Sequence, residues 1–225
     1  MLNIEGQERL FGLIGKECRR RVDALVIGGS AMLFYNFSKT ATKDVDIVML
    51  SEGDRKYLVG VLEKIGFKAE IRPKKEGEPY RLVLKDYVLD VFAGSVFRLK
   101  ISKGMLGRVK EKVEFGNVTV SVISPEDIIL SKSMTDRAGD REDAVRIIKE
   151  INVKWDIVLS ECVWQSQNGD FRFCIYLYDF LDELVHNFGI KLPKDITEKI
   201  KKLYRDSLEA IESKKAYPPR QKKNE

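Results

Sequence analysis

Three aspartates in the first half of the chain have the type and spacing of a metal-binding carboxylate site. Asp44 and Asp46 open the apolar run DVDIVML, and both project from one face because strand side chains alternate. Asp90 stands within the apolar run YVLDVF, where a charge is costly unless it is paired or metal-bound. If the two strands are neighbours, the carboxylates converge within one strand spacing, about 5 Å. The pattern predicts Asp44, Asp46 and Asp90 as catalytic residues and as ligands of Mg²⁺ or Mn²⁺.

Each part of this pattern also has a simpler explanation. A D-x-D pair at the start of a strand can arise from alternation alone, and Asp90 could pair with an Arg or Lys from the helical part of the chain. Two adjacent carboxylates repel each other unless a cation lies between them or one is protonated. Their occurrence together favours two cations roughly 4 Å apart, which clamp the attacking and leaving oxygens of an in-line displacement.

A second pattern, Gly28-Gly29-Ser30, follows a short apolar run at a predicted strand-to-helix junction. Glycines let the backbone approach a ligand closely, and the start of a helix offers unpaired N–H groups to phosphate. The same triplet is common in ordinary tight turns. The glycine patterns of Rossmann and P-loop proteins do not occur in the sequence. Alone the triplet is a weak signal, and it is the occurrence beside the three carboxylates that makes Gly28, Gly29 and Ser30 candidates for binding the phosphates of a nucleotide.

The elements that must position these residues alternate between helix and strand up to residue 123. The expected helices are 6–20, 30–37 and 52–65, and the expected strands are 24–27, 44–50, 68–72, 81–84, 87–92 and 118–123, the last after a glycine-bearing segment. The motif Ser124-Pro125-Glu126-Asp127 then opens a helical region, with Ser as N-cap and Pro at the first helical position. Helices are expected at 125–136, 140–151, 154–166, 170–187 and 194–213.

This order predicts an α+β fold in three parts. Residues 1–123 form a mixed β-sheet flanked by helices, residues 124–213 an α-helical C-terminal domain, and residues 214–225 a flexible basic tail. The tail holds five basic groups and one acidic group, which leaves +1 of the net +5 charge for residues 1–213. Net charge alone therefore does not predict nucleic-acid binding.

Composition excludes several other classes of protein. No apolar run approaches the roughly 18 residues of a membrane span, and the N-terminus lacks the pattern of a secretory signal. Three cysteines without C-x-x-C spacing argue against a disulfide framework and a structural zinc site. We expect a cytoplasmic protein with no membrane partner, and its scarce Gln with abundant Lys and Glu is typical of a thermophilic source.

The run LVIGGSAMLFYNFSKTATKDVDIVML, together with YVLDVF, resembles the DNA polymerase β-like nucleotidyltransferase superfamily. The closest likeness is to its stand-alone prokaryotic branch, which includes AbiEii-type toxins. That branch often carries Arg-x-Thr-x-Asp before the D-x-D pair, whereas Thr40 occupies the Arg position here, beside Lys39. The resemblance covers about residues 22–150 and continues through the Ser-Pro-Glu-Asp motif into Lys132, Arg137, Asp140 and Asp143.

The resemblance implies a nucleotidyltransferase-type sheet and transfer of a nucleoside monophosphate from ATP or another NTP to an acceptor hydroxyl, with release of pyrophosphate. Asp44 and Asp46 would hold the nucleotide-bound cation, and Asp46 and Asp90 the second cation, with Asp90 closest to the attacking hydroxyl. It also implies that Lys132 faces the triphosphate, although most lysines on helices are simply solvated. The acceptor would be tRNA, a protein or a small molecule, and a toxin–antitoxin context would add an antitoxin-like protein partner.

An alternative of another class is a catalytically silent nucleotidyltransferase-fold protein that serves as a nucleotide-binding or antitoxin-like interaction module. The presence of all three acids counts against loss of the catalytic site. If the acids were only structural, nucleotide binding would not depend on Mg²⁺.

Overall fold

A mixed β-sheet, helices on its faces and a run of C-terminal helices make up residues 1–216, the part of the chain that the computed structural model describes, with side chains to residue 213. The helices are α1 (Ile4–Glu17), α2 (Gly28–Phe34), α3 (Glu52–Lys64), α4 (Lys103–Gly107), α5 (Pro125–Lys132), α6 (Ala138–Glu150), α7 (Trp155–Asn168), α8 (Phe173–Phe188) and α9 (Lys194–Ala216). The strands are β1 (Val22–Val26), β2 (Val45–Met49), β3 (Lys68–Ile71), β4 (Tyr80–Leu84), β5 (Tyr87–Ala93), β6 (Ser95–Val96), β7 (Leu99–Lys100), β8 (Lys112–Phe115) and β9 (Val118–Val122).

The main path of the sheet runs in the order β3-β4-β5-β2-β1-β9-β8. Strand β2 pairs parallel to β5 and antiparallel to β1, and β1 pairs parallel to β9. The central strands are apolar and almost fully buried, as strands covered on both faces must be. The predicted α+β class, a mixed sheet flanked by helices and followed by helices, is confirmed.

Side-chain caps fix the starts of several helices. The Ser51 hydroxyl accepts a hydrogen bond from the Asp54 N–H at the start of α3, and Ser124 accepts one from the Asp127 N–H at the start of α5. Pro125 occupies the first turn of α5, where its missing N–H costs no helical hydrogen bond. The predicted start of this helix is therefore observed, with the cap that its sequence suggested.

Helix α5 connects the sheet to the C-terminal helices. Its residues Ile128, Ile129 and Leu130 are fully buried, and it packs against α2, α6 and α7. Buried side chains of the sheet and of α5–α9 belong to one hydrophobic cluster. The position of α5 matters for function, because its last residue, Lys132, reaches the same cleft as the sheet residues.

Several predicted boundaries were wrong. Helix α2 begins at Gly28 and ends at Phe34, whereas a start at Ser30 and an end at Phe37 were expected. The glycine-bearing segment before the last strand contains β6, β7, α4 and β8, which the sequence analysis did not identify. Strand β8 pairs with β9 at the sheet edge, and its alternating sequence KVEF is short and half charged, so it lacks the apolar run of a buried strand.

The C-terminal helix α9 reaches Ala216, so it overlaps the first residues of the predicted basic tail. The remainder of that tail, residues 217–225, lies outside the described residues. Within residues 1–216, no helix combines the length and the apolar character needed to cross a lipid bilayer.

Candidate active site

The three aspartates lie side by side at one end of β2 and β5. Asp44 immediately precedes β2, Asp46 lies on it, and the parallel register pairs Asp46 directly with Asp90 on β5. All three line one cleft of about 1010 Å³, at the upper end of the range for small-ligand sites, roughly 300–1,000 Å³. The structure therefore brings together the residues that the sequence singled out as metal ligands and catalytic groups.

Asp46 is the carboxylate most affected by its neighbours. Burial, reinforced by the charges of Asp44 and Asp90, raises the pKa of Asp46 from 3.8 to about 7. Among the described residues, no hydrogen bond or ion pair reaches its side chain. Three carboxylates this close need a cation or a shared proton, and Asp46 is the one of the three whose raised pKa favours taking up a proton.

Arg81 is the cation that the sequence analysis missed. It lies on β4 directly opposite Asp90, and its Nε and Nη2 donate to the two Asp90 oxygens at 2.9 and 2.6 Å. Its Nη2 also donates to Asp44 Oδ2 at 3.3 Å. An Arg or Lys from the helical part was the expected alternative partner of Asp90, but the partner comes from the neighbouring strand. An arginine inside a strand candidate next to the Asp90 strand was the available signal.

The donor chemistry of the cluster suits a hard divalent cation. Mg²⁺ uses one or two carboxylates and completes its octahedron with water and phosphate oxygens, and the partnerless Asp46 carboxylate supplies such a ligand. In residues 1–213, no group of three or more His, Cys, Asp or Glu side chains is arranged to hold a metal ion. Arg81 is one physical reason, because it engages oxygens of both Asp44 and Asp90.

Gly28 and Gly29 are required at the base of the cleft for steric reasons. Gly28 has a φ of +60°, and a Cβ there would meet Asp46 Oδ2 at 2.8 Å. A Cβ on Gly29 would meet Thr42 Oγ1 at 2.9 Å and Lys39 Cε at 3.1 Å. The two glycines thus let Asp46 and Lys39 lie against the backbone at the start of α2, and both glycines line the cleft.

Ser30 has a different environment from the two glycines. Its side chain is fully buried, and its hydroxyl donates to the backbone carbonyl of Asp44 at 3.0 Å. The expected role of Ser30 in binding nucleotide phosphates stays a prediction. Ser30 ties α2 to the residue that precedes β2, which positions the D-x-D pair.

Lys132 lies in the cleft wall, but its ammonium is held by two buried carboxylates. Its Nζ donates to Asp140 Oδ1 at 2.6 Å and to Asp143 Oδ2 at 2.7 Å, and its side chain is 5% exposed. Lys39, from the loop before β2, donates to both oxygens of Asp143 at 2.8 and 3.0 Å. Lys39 is thus a cleft residue that was not among the predicted site residues, although it stands beside the position of the Arg in the Arg-x-Thr-x-Asp pattern.

Asp140 joins the same network from α6. It accepts hydrogen bonds from Thr135 Oγ1 and from Arg137 Nε, the latter at 2.8 Å. Lys132 and Arg137 both lie close enough to lower the pKa of Asp46, against the larger effects of burial and the two carboxylates. The ion pairs of Lys132, Arg137, Asp140 and Asp143 thus connect α5 to α6, as the sequence analysis favoured for the last three.

The cleft continues beyond Asp90 toward a second cavity of about 430 Å³. The two share Phe97, whose side chain is 65% exposed, and Arg98, which donates to Asp170 and to the Tyr176 hydroxyl. Phe97 has a φ of +49°, which is uncommon for a residue with a Cβ. The surface next to the acidic cluster is therefore aromatic and cationic.

The chain is similar to several solved structures, and one of them, ANT(2'')-Ia, shares its fold. The antibiotic-resistance factor ANT(2'')-Ia aligns over 81% of this chain and 98% of its own, with 16% identity and a TM-score of 0.52. JHP933 from Helicobacter pylori aligns over 97% of this chain and 100% of its own, with 15% identity and a TM-score of 0.45. None of the curated proteins matches the sequence.

The match to a sequence family covers most of the chain. Residues 9–163, which include all three aspartates, the two glycines, Arg81 and the α5–α6 ion pairs, match a single family model. The predicted resemblance to nucleotidyltransferases is confirmed at this level, whereas the narrower likeness to AbiEii-type toxins stays a prediction. The chain belongs to the family described as nucleotidyltransferase of unknown function (DUF6036).

Proposed function

We propose that this protein transfers a nucleoside monophosphate from an NTP to an acceptor hydroxyl and releases pyrophosphate, in a reaction that depends on Mg²⁺ or Mn²⁺. The observation that carries the proposal is the placement of Asp44, Asp46 and Asp90 on neighbouring strands of one cleft, beside the close-packed Gly28-Gly29 backbone. The family match supports the reaction class.

Each acid has a distinct role in this proposal. Asp44 and Asp46 hold the nucleotide-bound cation, and Asp46 and Asp90 hold the second cation. When bound, the cations neutralise charge that develops on the phosphoryl oxygens. Asp90 lies closest to the acceptor and takes the proton of the attacking hydroxyl. The hydroxyl oxygen then forms the new bond to the α-phosphorus, and the bond to the pyrophosphate oxygen breaks.

The phosphate side of the site is formed by the backbone of Gly28 and Gly29 together with Lys39. The Lys39 side chain packs against Gly29 and reaches into the cleft, so it supplies a positive charge near the start of α2. Both close partners of Lys132 are carboxylates, Asp140 and Asp143, and Asp143 also accepts hydrogen bonds from the Lys39 ammonium. Lys132 therefore influences phosphate binding only through Asp143. Lys132 is therefore a positioning residue.

The acceptor lies on the side of the cleft that leads past Asp90 to Phe97 and Arg98. The classes expected from sequence are tRNA, a protein or a small molecule, and an antitoxin-like protein partner remains part of the toxin-type prediction. The exposed Phe97 ring and the Arg98 guanidinium support an acceptor with a planar or anionic group near the reacting hydroxyl.

A second candidate function, a silent nucleotide-binding or interaction module, is favoured by one observation. Arg81 binds both oxygens of Asp90 and contacts Asp44, so two of the three acids have a partner within the protein. Such ion pairs would also be expected in a site that catalyses no reaction.

Calorimetric titration and label transfer separate these two functions. ATP, CTP, GTP and UTP are titrated into the protein with and without Mg²⁺, and each α-³²P-labelled nucleotide is then incubated with RNA, protein and small-molecule acceptor pools. A nucleotidyltransferase binds at least one NTP in a Mg²⁺-dependent manner and labels one pool. Binding without label in any pool would favour the silent nucleotide-binding module. No Mg²⁺-dependent binding would contradict both the transferase and the nucleotide-binding module, and would leave only a module that acts by protein interaction.

A further inference from the structure

Arg81, Asp90 and Asp46 form a row across three neighbouring strands. Residue 81 on β4 is the register partner of residue 90 on β5, which is in turn the partner of residue 46 on β2. The guanidinium binds Asp90 through two parallel hydrogen bonds and reaches Asp44 with the same Nη2 atom. One arginine thus engages two of the three acids that would bind the cations.

A guanidinium and a divalent cation compete for these oxygens. Both Asp90 oxygens and Asp44 Oδ2 accept hydrogen bonds from Arg81 at 2.6–3.3 Å. A Mg²⁺ ion bound by the same oxygens needs their lone pairs at roughly 2.1 Å, and the two positive charges repel each other at such separations. A cation arriving alone must therefore displace a paired bidentate contact, which lowers its affinity.

A triphosphate offers Arg81 another set of acceptors. The Arg81 side chain is 35% exposed and lines the same cleft as the glycines and Lys39, so its head group is not enclosed by protein. Guanidinium groups bind phosphate oxygens with the same forked geometry that they use for carboxylates. Transfer of Arg81 from Asp90 to phosphate would free the carboxylate as the nucleotide arrives.

We propose that Arg81 is the resident counter-ion of the acidic cluster and couples cation binding to nucleotide binding. This inference rests on the proposed function, because it takes the acids as cation ligands and the cleft as the nucleotide site. Cation and nucleotide then bind cooperatively, and the coupling is reciprocal: each ligand raises the affinity for the other by the same factor. Removal of Arg81 has opposite effects on the two ligands, since it unmasks the carboxylates and deletes a phosphate contact.

The test uses Mn²⁺ as the cation probe and compares Arg81→Gln with a matched control. Arg98→Gln removes one positive charge from the same cleft, but Arg98 pairs with Asp170 and Tyr176 and does not contact the acidic cluster. Arg81→Lys keeps the charge and loses the fork, and it serves as the second variant if Arg81→Gln does not fold. Mn²⁺ affinity is measured without nucleotide by electron paramagnetic resonance, and NTP affinity by calorimetry at saturating Mg²⁺.

Arg81→Gln is expected to bind Mn²⁺ about tenfold more tightly than the wild type and to bind the preferred NTP about tenfold more weakly. The Mn²⁺ and NTP affinities of Arg81→Lys should lie between those of the wild type and those of Arg81→Gln. Arg98→Gln should change Mn²⁺ affinity less than about twofold. Unchanged or weaker Mn²⁺ binding by a folded Arg81→Gln would overturn the coupling while leaving the proposed function intact. If no variant, the wild type included, binds Mn²⁺ with or without an NTP, both the coupling and the proposed function are wrong.

Discussion

The Ser30 hydroxyl donates a 3.0 Å hydrogen bond to the backbone carbonyl of Asp44, fourteen positions further along the chain. The bond is buried at the start of α2 and links it to the residue immediately before β2. The serine of the Gly-Gly-Ser motif therefore orients the D-x-D pair, while the two glycines make room for the side chains around it.

Ser30→Ala should lower the rate of nucleotide transfer without abolishing Mg²⁺-dependent nucleotide binding. The substitution removes one buried hydrogen bond, worth about 1 kcal/mol of stability, and leaves the Asp44 carbonyl without this donor. We expect kcat to fall more than KM rises, because Asp44 loses its orientation but keeps its charge. A Ser30→Ala enzyme with unchanged kcat would contradict a positioning role, and a large rise in KM alone would favour direct contact with phosphate.

Removal of the charge should have different effects on stability and NTP binding at Lys132 and at Lys39. Lys132→Met leaves Asp140 and Asp143 with less compensation in a buried setting and should reduce the free energy of unfolding by about 3 kcal/mol. Lys39→Met leaves Asp143 paired with Lys132, so it should cost less stability and mainly weaken NTP binding. Denaturant unfolding and calorimetry give the two quantities.

Lys199→Met is the control for that pair, because Lys199 is half exposed and pairs with Asp156 and Asp195 on the surface. It should change neither stability nor NTP binding appreciably. If Lys132→Met were as stable as the wild type but bound NTP weakly, Lys132 would contact the nucleotide directly, as the family resemblance implied.

The sequence was informative where chemistry and local pattern coincide. Asp44, Asp46 and Asp90 could be predicted as a cluster because alternation places the first two on one face and an apolar strand makes the third conspicuous. The start of α5 followed from its Ser-Pro cap. Each of these signals is contained in a short segment of sequence: the D-x-D pair, the Asp90 strand and the Ser-Pro cap.

The features that were missed depend on contacts between distant segments. Arg81 reads as an ordinary polar residue of a strand until the sheet order places β4 beside β5. The Ser30 hydroxyl donates to a backbone carbonyl fourteen residues away, a contact that depends on tertiary packing. Lys39 joins Asp143 across more than a hundred residues. No local pattern contains that information.

The stability of the ligand-free protein should depend on the ionisation of Asp46. Its pKa is about 7 in the folded protein against an ordinary value of 3.8, so the folded state binds this proton more tightly than the unfolded state. The corresponding stability is fully present below about pH 4 and is lost as the pH rises through about 7, with a slope of at most about 1.4 kcal/mol per pH unit.

Comparison of the wild type with Asp46→Asn measures this effect together with its coupling to Asp44 and Asp90, since ionisable groups far from Asp46 contribute equally to both proteins. As the pH rises from about 4 to about 7, the unfolding free energy of the wild type should fall relative to that of Asp46→Asn. Mg²⁺ should raise the unfolding temperature of the wild type more at pH 8 than at pH 5, because the ionised carboxylate binds it. A difference that does not vary with pH would contradict the raised pKa.

Cys162 and Cys174 should form a disulfide when the protein is equilibrated with oxidised glutathione. All three cysteines are free thiols, but the Sγ atoms of this pair lie 3.4 Å apart across the α7–α8 hairpin. The Cys162 thiol donates a hydrogen bond to Cys174. This bond, together with hydrogen bonds to serine hydroxyls, lowers the pKa of the Cys174 thiol to about 6. Both thiols are buried, so the reaction proceeds when the α7–α8 hairpin opens locally. Attack of the Cys174 thiolate on glutathione disulfide releases one reduced glutathione, and resolution of the mixed disulfide by Cys162 releases the second.

Mass spectrometry after alkylation in denaturant measures this reaction. The wild type should lose two alkylatable thiols and keep Cys18, and the closed loop should stabilise the oxidised form by roughly 3 kcal/mol. Cys174→Ser is the control and should keep both remaining thiols. Three alkylated cysteines in the most oxidising buffer, or glutathione adducts without loss of the pair, would be inconsistent with this prediction.

Transfer of label from an α-³²P-labelled NTP in the wild type, compared with Asp44→Asn, Asp46→Asn and Asp90→Asn, tests the proposed activity most directly. The assay is run with Mg²⁺ and with EDTA in the presence of the RNA, protein and small-molecule acceptor pools, after circular dichroism has shown that each variant is folded. We expect Mg²⁺-dependent labelling of one pool by the wild type and by the surface control Lys199→Met, and none above background by any of the three asparagine variants. Full labelling by a folded Asp44→Asn or Asp90→Asn variant, or labelling that persists in EDTA, would contradict the assignment of these aspartates as the catalytic, cation-binding site.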